Sequence, residues 1–97
     1  MTSMEKKLTE NRLTEVKAAL SAKYRTVDLG GEKFFVATDG AFFRVGVFPG
    51  VMALVIEYAD TEQEARQNAL EDGDRFYLDE TTLDEMLRLM IAEIERC

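Results

Sequence analysis

Ninety-seven residues, 46% of them apolar, carry a formal net charge of −7, which fits one folded domain over 1–97 with its own core and argues against disorder. There is no histidine, and the single cysteine is Cys97; an intramolecular disulfide, a histidine-centred metal site and the usual base of a nucleophilic triad are therefore excluded. No apolar run nears the ~20 residues that span a bilayer, and the first ten residues lack the apolar centre of a signal peptide, so a soluble cytoplasmic protein without membrane contact is expected.

Residues 1–8 show no period and are expected to fray. Leu13, Val16, Ala19, Leu20 and Tyr24 recur at helical spacing, with Thr9 or Asn11 available as N-cap. This predicts an amphipathic helix that starts near Thr9, with Leu8 off its stripe. A mixed stretch, 24–29, leads to Gly30-Gly31, which reads as a turn; a nucleotide loop would need further glycines and a following Lys-Ser/Thr. Residues 32–38 and 41–48 read as strands joined at Asp39-Gly40 by a two-residue type I′ turn. Pro49-Gly50 reverses the chain again. The run Val51-Met52-Ala53-Leu54-Val55-Ile56 opens a third strand reaching 59, apolar on both faces and hence central or covered on both sides. Five phenylalanines, Phe34, Phe35, Phe42, Phe43 and Phe48, fall on both faces of the hairpin. With only Lys33 and Arg44 beside them they are core, not a stacking platform for nucleic acid.

A short acidic surface helix is expected over 61–70, with Gly73 as its C-cap and Phe76, Tyr77 and Leu78 as an apolar clip back to the core. Thr82-Leu83-Asp84-Glu85 is a capping box. The helix it opens reaches about residue 96 and presents Leu83, Met86, Leu87, Met90, Ile91 and Ile94 on one face, with Leu89 outside it. The fold class is thus α+β: an antiparallel sheet of three or four strands packed by N- and C-terminal helices.

Charge is placed unevenly. Residues 1–48 hold eight basic and six acidic side chains, whereas 49–97 hold four and thirteen. An acidic belt follows the third strand: Glu57, Asp60, Glu62, Glu64, Glu71, Asp72, Asp74, Asp79, Glu80, Asp84 and Glu85, with Arg66 and Arg75 as the only cations among them. Such a surface repels phosphate, so no direct nucleic-acid binding is expected. A calcium loop opened at Asp72 fails, because positions 5, 6 and 12 hold Phe76, Tyr77 and Leu83. Paired carboxylates for glycoside hydrolysis need a walled cleft that short loops do not build. No enzyme, cofactor or metal is expected, and Cys97 reads as a chain end.

What remains is charge itself. Carboxylates spread over a strand end, a helix and a loop can imitate a nucleic-acid backbone before a basic, nucleic-acid-handling protein partner, with Tyr58, Phe76 and Tyr77 as anchors. The alternatives are a homo-oligomeric accessory domain that uses the methionines of the last helix, with monomer and homodimer both open, and a domain that binds a small ligand or weakly held cation near Asp72 and Asp74. The order of a helix over 13–24, a meander carrying 24–30 and 53–58, and the acid-rich 60–85 resembles that of the small acidic anti-CRISPR proteins that inhibit Cas9. The likeness covers most of the chain in outline. It departs in the longer aromatic hairpin and the strongly apolar last helix. It implies a three-stranded meander and an inhibitor that occupies the DNA-reading surface of a phage-defence nuclease.

Overall fold

In the computed structural model, which describes residues 2–96, the chain opens with helix α1, Ser3–Lys23. It starts well before Thr9. Thr2 is the N-cap: its hydroxyl accepts from the Glu5 amide at 3.1 Å while Glu5 Oε1 accepts from the Thr2 amide at 2.9 Å. The first turns, expected to fray, are therefore helical, though Met4 and Leu8 point to solvent. Thr9 is not a cap. It is buried, and its hydroxyl donates to the Glu5 carbonyl at 2.8 Å. Cys97 lies outside the described residues.

Five antiparallel strands follow, not three or four: β1 (Arg25–Leu29), β2 (Glu32–Val36), β3 (Phe42–Val47), β4 (Ala53–Ala59) and β5 (Glu71–Tyr77), laid side by side in chain order. Both additions are edge strands. Helix α2 (Glu62–Arg66) joins β4 to β5, and α3 (Leu83–Ile94) closes the chain. Among the described residues no helix is long and apolar enough to cross a membrane.

The turns divide by their backbone angles. Gly30 and Gly31 both have positive φ, 61° and 83°, and Leu29 pairs with Glu32 across them, as a two-residue turn requires. At Asp39-Gly40 only the glycine has positive φ. The Gly40 amide donates to the Ala37 carbonyl at 2.9 Å and the Ala37 amide to the Ala41 carbonyl at 2.8 Å. The loop is thus a three-residue turn ending in a left-handed glycine, in place of the expected two-residue one. Asp39 Oδ1 accepts from the Ala41 amide at 3.0 Å, which holds the aspartate in the turn.

Strand β4 explains the apolar run. Ala53, Leu54, Val55 and Ile56 are all buried, because both faces of the sheet are covered there. On the larger side Phe35, Phe43, Leu54, Ile56 and Phe76 meet Val16 and Leu20 of α1 and Met86, Met90 and Ile94 of α3. Tyr24 stands edge-on to Phe43 with centroids 5.3 Å apart, and Phe35 stacks on the same ring at 5.2 Å. The smaller side gathers Leu29, Phe34, Ala59 and Ala65 beneath α2. Met86 and Met90 are fully buried and so belong to the core, not to an outer surface.

The acidic stretch 71–77 overturns an expectation. Glu71-Asp72-Gly73-Asp74 has turn-like propensity, yet it runs beside β4, pairing Ala53↔Tyr77, Leu54↔Phe76, Val55↔Arg75, Glu57↔Asp72 and Tyr58↔Glu71 around a bulge. Pairing across the sheet overrides local preference. Helix α2 ends earlier than residue 70, and the left-handed residue after it is Asn68, φ 58°, not Gly73. Thr82 and Glu85 form the expected capping box of α3, and the helix stops at Ile94 with Glu95 as C-cap.

Candidate functional site: an acidic sheet edge

Because β5 is outermost, one of its long sides meets solvent, and a strand so placed accepts charge that a central strand would not. Glu71, Asp72 and Asp74 lie along it, all exposed. The bulge between them is organised from α3. Glu93 Oε1 accepts from the Asp74 amide at 2.8 Å, and Glu93 Oε2 accepts from the Tyr58 hydroxyl. Gly73 lies under this carboxylate. Its φ is not positive, so the glycine is required by space: a Cβ there would lie 2.8 Å from the Tyr58 ring and press on Glu93 Oε2.

Four of the eleven belt carboxylates are occupied within the fold. Glu57 Oε1 accepts from Arg44 Nε at 3.0 Å, and the same guanidinium reaches Glu32 and, at 2.8 Å, Asn68 Oδ1. Glu62 pairs with Arg66 at 2.9 Å, one helical turn away. Glu64 and Glu85 close the capping boxes of α2 and α3. The other seven, Asp60, Glu71, Asp72, Asp74, Asp79, Glu80 and Asp84, are exposed and make no ion pair among the described residues.

Those seven fall into two groups joined by the strand. At one end a concavity of about 360 Å³ is lined by Asp60, Glu71, Asp72 and Asp74 together with Asp39 and Glu93, and by one cation, Arg96. Asp39 and Glu93 were not part of the sequence-predicted belt; the first reads as a turn residue and the second as solvated helix surface. Asp79, Glu80 and Asp84 lie past the other end of β5, roughly 20 Å away at the rise of an extended strand. The belt is therefore a line with two ends and not a continuous patch. Among the described residues no three of these acids converge as metal ligands do.

The two tyrosines differ. Tyr58 is half-buried on the helix-covered face, its ring 6.4 Å from that of Phe43, and its hydroxyl is held by Glu93. Tyr77 ends β5, half-buried beside Glu80 and Leu89 in a groove of about 500 Å³ between the strand and α3. Arg75, the one cation on β5, has its guanidinium 3.9 Å from the centre of the Phe48 ring. Solvated carboxylates in this arrangement suit salt-sensitive attraction of a cationic surface. Comparison of the chain with protein-family models, with curated proteins and with solved structures found no match.

Proposed function

We propose that this is a non-enzymatic binding protein whose acidic edge docks on a basic, nucleic-acid-handling protein and competes there with nucleic acid. Inhibition of a phage-defence nuclease, as the likeness to acidic anti-CRISPR proteins implies, is the specific form of this reading. The observation that carries it is the set of seven exposed carboxylates that make no ion pair among the described residues, strung along and beyond an edge strand. A basic groove that neutralises phosphates recognises the same sign and spread of charge, and its attraction to this edge weakens as salt rises. Self-association through the methionines of α3 gains no support, since both are buried in the core.

The test is a charge reversal. A partner captured from host lysate after nuclease treatment is titrated with wild type and with Asp72→Lys/Asp74→Lys/Asp79→Lys/Glu80→Lys. The variant is expected to bind at least a hundredfold more weakly at low salt while keeping its circular dichroism spectrum, and wild type is expected to displace DNA from the partner. Equal affinity of the two proteins, or failure to compete with DNA, rejects the reading.

A further inference from the structure

The groove beside β5 combines two features that charge alone does not explain. One is hydrogen-bonding capacity. The Leu78 amide donates to the Met52 carbonyl at 3.0 Å. In the register of this pair, 54 opposite 76 and 55 opposite 75, antiparallel alternation then turns the backbone groups of Phe76 toward β4 and those of Arg75 and Tyr77 away from it. The Tyr77 carbonyl is taken by the Thr81 hydroxyl at 2.8 Å. The Arg75 amide, the Arg75 carbonyl and the Tyr77 amide are left in a row, facing outward, with no partner among the described residues. The second feature is a wall. Leu89 of α3, 42% exposed, and Ala92 stand across from this row, and the space between helix and strand is the groove of about 500 Å³. A helix set along an unpaired strand edge, with an apolar side chain at hand, is the geometry that receives a peptide as an added strand.

Charge selects the occupant. Were a second copy of the chain to pair along this edge, Glu71, Asp72 and Asp74 would face their own kind, and like charges directly opposite are destabilising. A lysine- or arginine-bearing segment meets the reverse situation at these three acids and at Glu80, while the cations that also line the groove are Arg75, whose guanidinium lies over the Phe48 ring, and Arg96.

We infer that the β5–α3 groove binds an extended basic segment of a partner protein as a sixth strand, hydrogen-bonded to Arg75 and Tyr77, with an apolar side chain against Leu89 and cationic side chains beside Asp72, Asp74 and Glu80. This rests on the acidic-edge reading above and adds a backbone component to it. The segment's own amide and carbonyls complete the three outward groups of β5.

The experiment uses a fluorescein-labelled decapeptide alternating lysine and valine, and the same peptide N-methylated at every residue, which keeps the charge and removes the amide donors of both its edges. Anisotropy titrations are run with wild type, Arg75→Gln and Arg75→Pro. Proline removes only an outward amide at this edge position and so leaves the ladder to β4 intact; thermal melts confirm folding, and Leu89→Asp is a second variant that leaves the strand untouched. The proposal expects the N-methylated peptide, Arg75→Pro and Leu89→Asp each to weaken binding at least tenfold, and Arg75→Gln to stay within about threefold of wild type. It expects the Arg75 and Tyr77 amides to gain hydrogen-exchange protection with the plain peptide. Equal binding of the two peptides, with loss only in the four-lysine variant, overturns the added strand and leaves the acidic edge standing. No binding of either peptide at 100 μM overturns the proposal, and the edge reading is then judged on the captured partner alone.

Discussion

Gly73→Ala tests whether one carboxylate from α3 builds the bulge in β5. The added Cβ lies 3.1 Å from Glu93 Cδ, closer still to Oε2, and 2.8 Å from the Tyr58 ring. Glu93 must swing away and release both the Tyr58 hydroxyl and the Asp74 amide. At about 1.5 kcal/mol each, the low end for hydrogen bonds to a charged group, the two come to about 3 kcal/mol. Alanine returns about 0.4–1 kcal/mol by stiffening the unfolded chain, so a net loss of about 2 kcal/mol is expected. In a domain of this size that lowers Tm by about 10 °C.

The decisive comparison is with Glu93→Ala, which removes the same two bonds and should cost a similar amount. In that background the new methyl group no longer meets the carboxylate, so the double variant should be no more than about 0.5 kcal/mol worse than Glu93→Ala. Urea melts of the four proteins give a coupling of about 2 kcal/mol if this is right. An additive cycle, with Gly73→Ala equally harmful in the absence of Glu93, would falsify the account and place the strain in the strand itself. A neutral Gly73→Ala refutes it outright.

Three other perturbations address the rest of the fold. Tyr24 donates to Glu95 Oε2 at 2.7 Å and Lys23 lies 3.5 Å from the same oxygen; the bond from Tyr24 first, then Lys23, holds the Glu95 carboxyl below its ordinary 4.5, while burial first, then Glu95, pushes the Tyr24 phenol well above its ordinary 10. A depressed carboxyl stabilises above 4.5 and loses that contribution as pH falls, and a raised phenol stabilises below 10 and loses it as pH rises. The stability lost in Tyr24→Phe is therefore expected to be constant from about pH 5 to 9 and to shrink on both sides, and a difference that stays flat from about pH 3 to 11 refutes the linkage. Met90→Ala, at a fully buried position, should cost about 2–5 kcal/mol in urea without changing the oligomeric state; a cost under about 1 kcal/mol with a change in sedimentation makes the methionine an interface residue instead. Arg44→Leu strands Glu57, whose side chain is only 24% exposed, and should cost about 2 kcal/mol, whereas Arg44→Leu/Glu57→Leu should cost less than the single change; a double variant worse than the single one contradicts this.

Most of the scaffold was legible because its signals are local. Thr82 and Glu85 announce α3, the apolar run announces β4, and the glycines of the first hairpin have the angles their turn needs. The misses share one cause. Strand β5 exists through partners about twenty residues back, and nothing in Glu71-Asp72-Gly73-Asp74 itself favours extension. The start of α1 rests on Thr2 and Glu5, a capping box that the sequence does contain but that a search for apolar period passes over. For the belt, composition gave its members but not their employment: Glu57 is withdrawn by a cross-strand arginine, Arg44, thirteen residues away, while Asp39 and Glu93 join the concavity from turn and helix.

The position of β5 also decides how much of the acidic field survives the chain's own basic half. Lys23 is spent on Glu95, and Arg44 on Glu32 and Glu57. Arg25 and Lys33 sit on β1 and β2, at the far side of a sheet whose order is that of the chain. Four strand spacings separate β1 from β5, about 19 Å, and three separate β2 from it, about 14 Å. Both distances exceed the screening length of about 8 Å at physiological ionic strength. Arg25 and Lys33 therefore neither pair with the carboxylates of β5 nor damp them through solvent, whereas Arg12 of α1 donates to the Thr81 carbonyl at 3.2 Å and lines a concavity with Asp79, past the end of the strand. A meander that returned its acidic segment beside β1 would have cancelled the charge, and this one carries it to the opposite side.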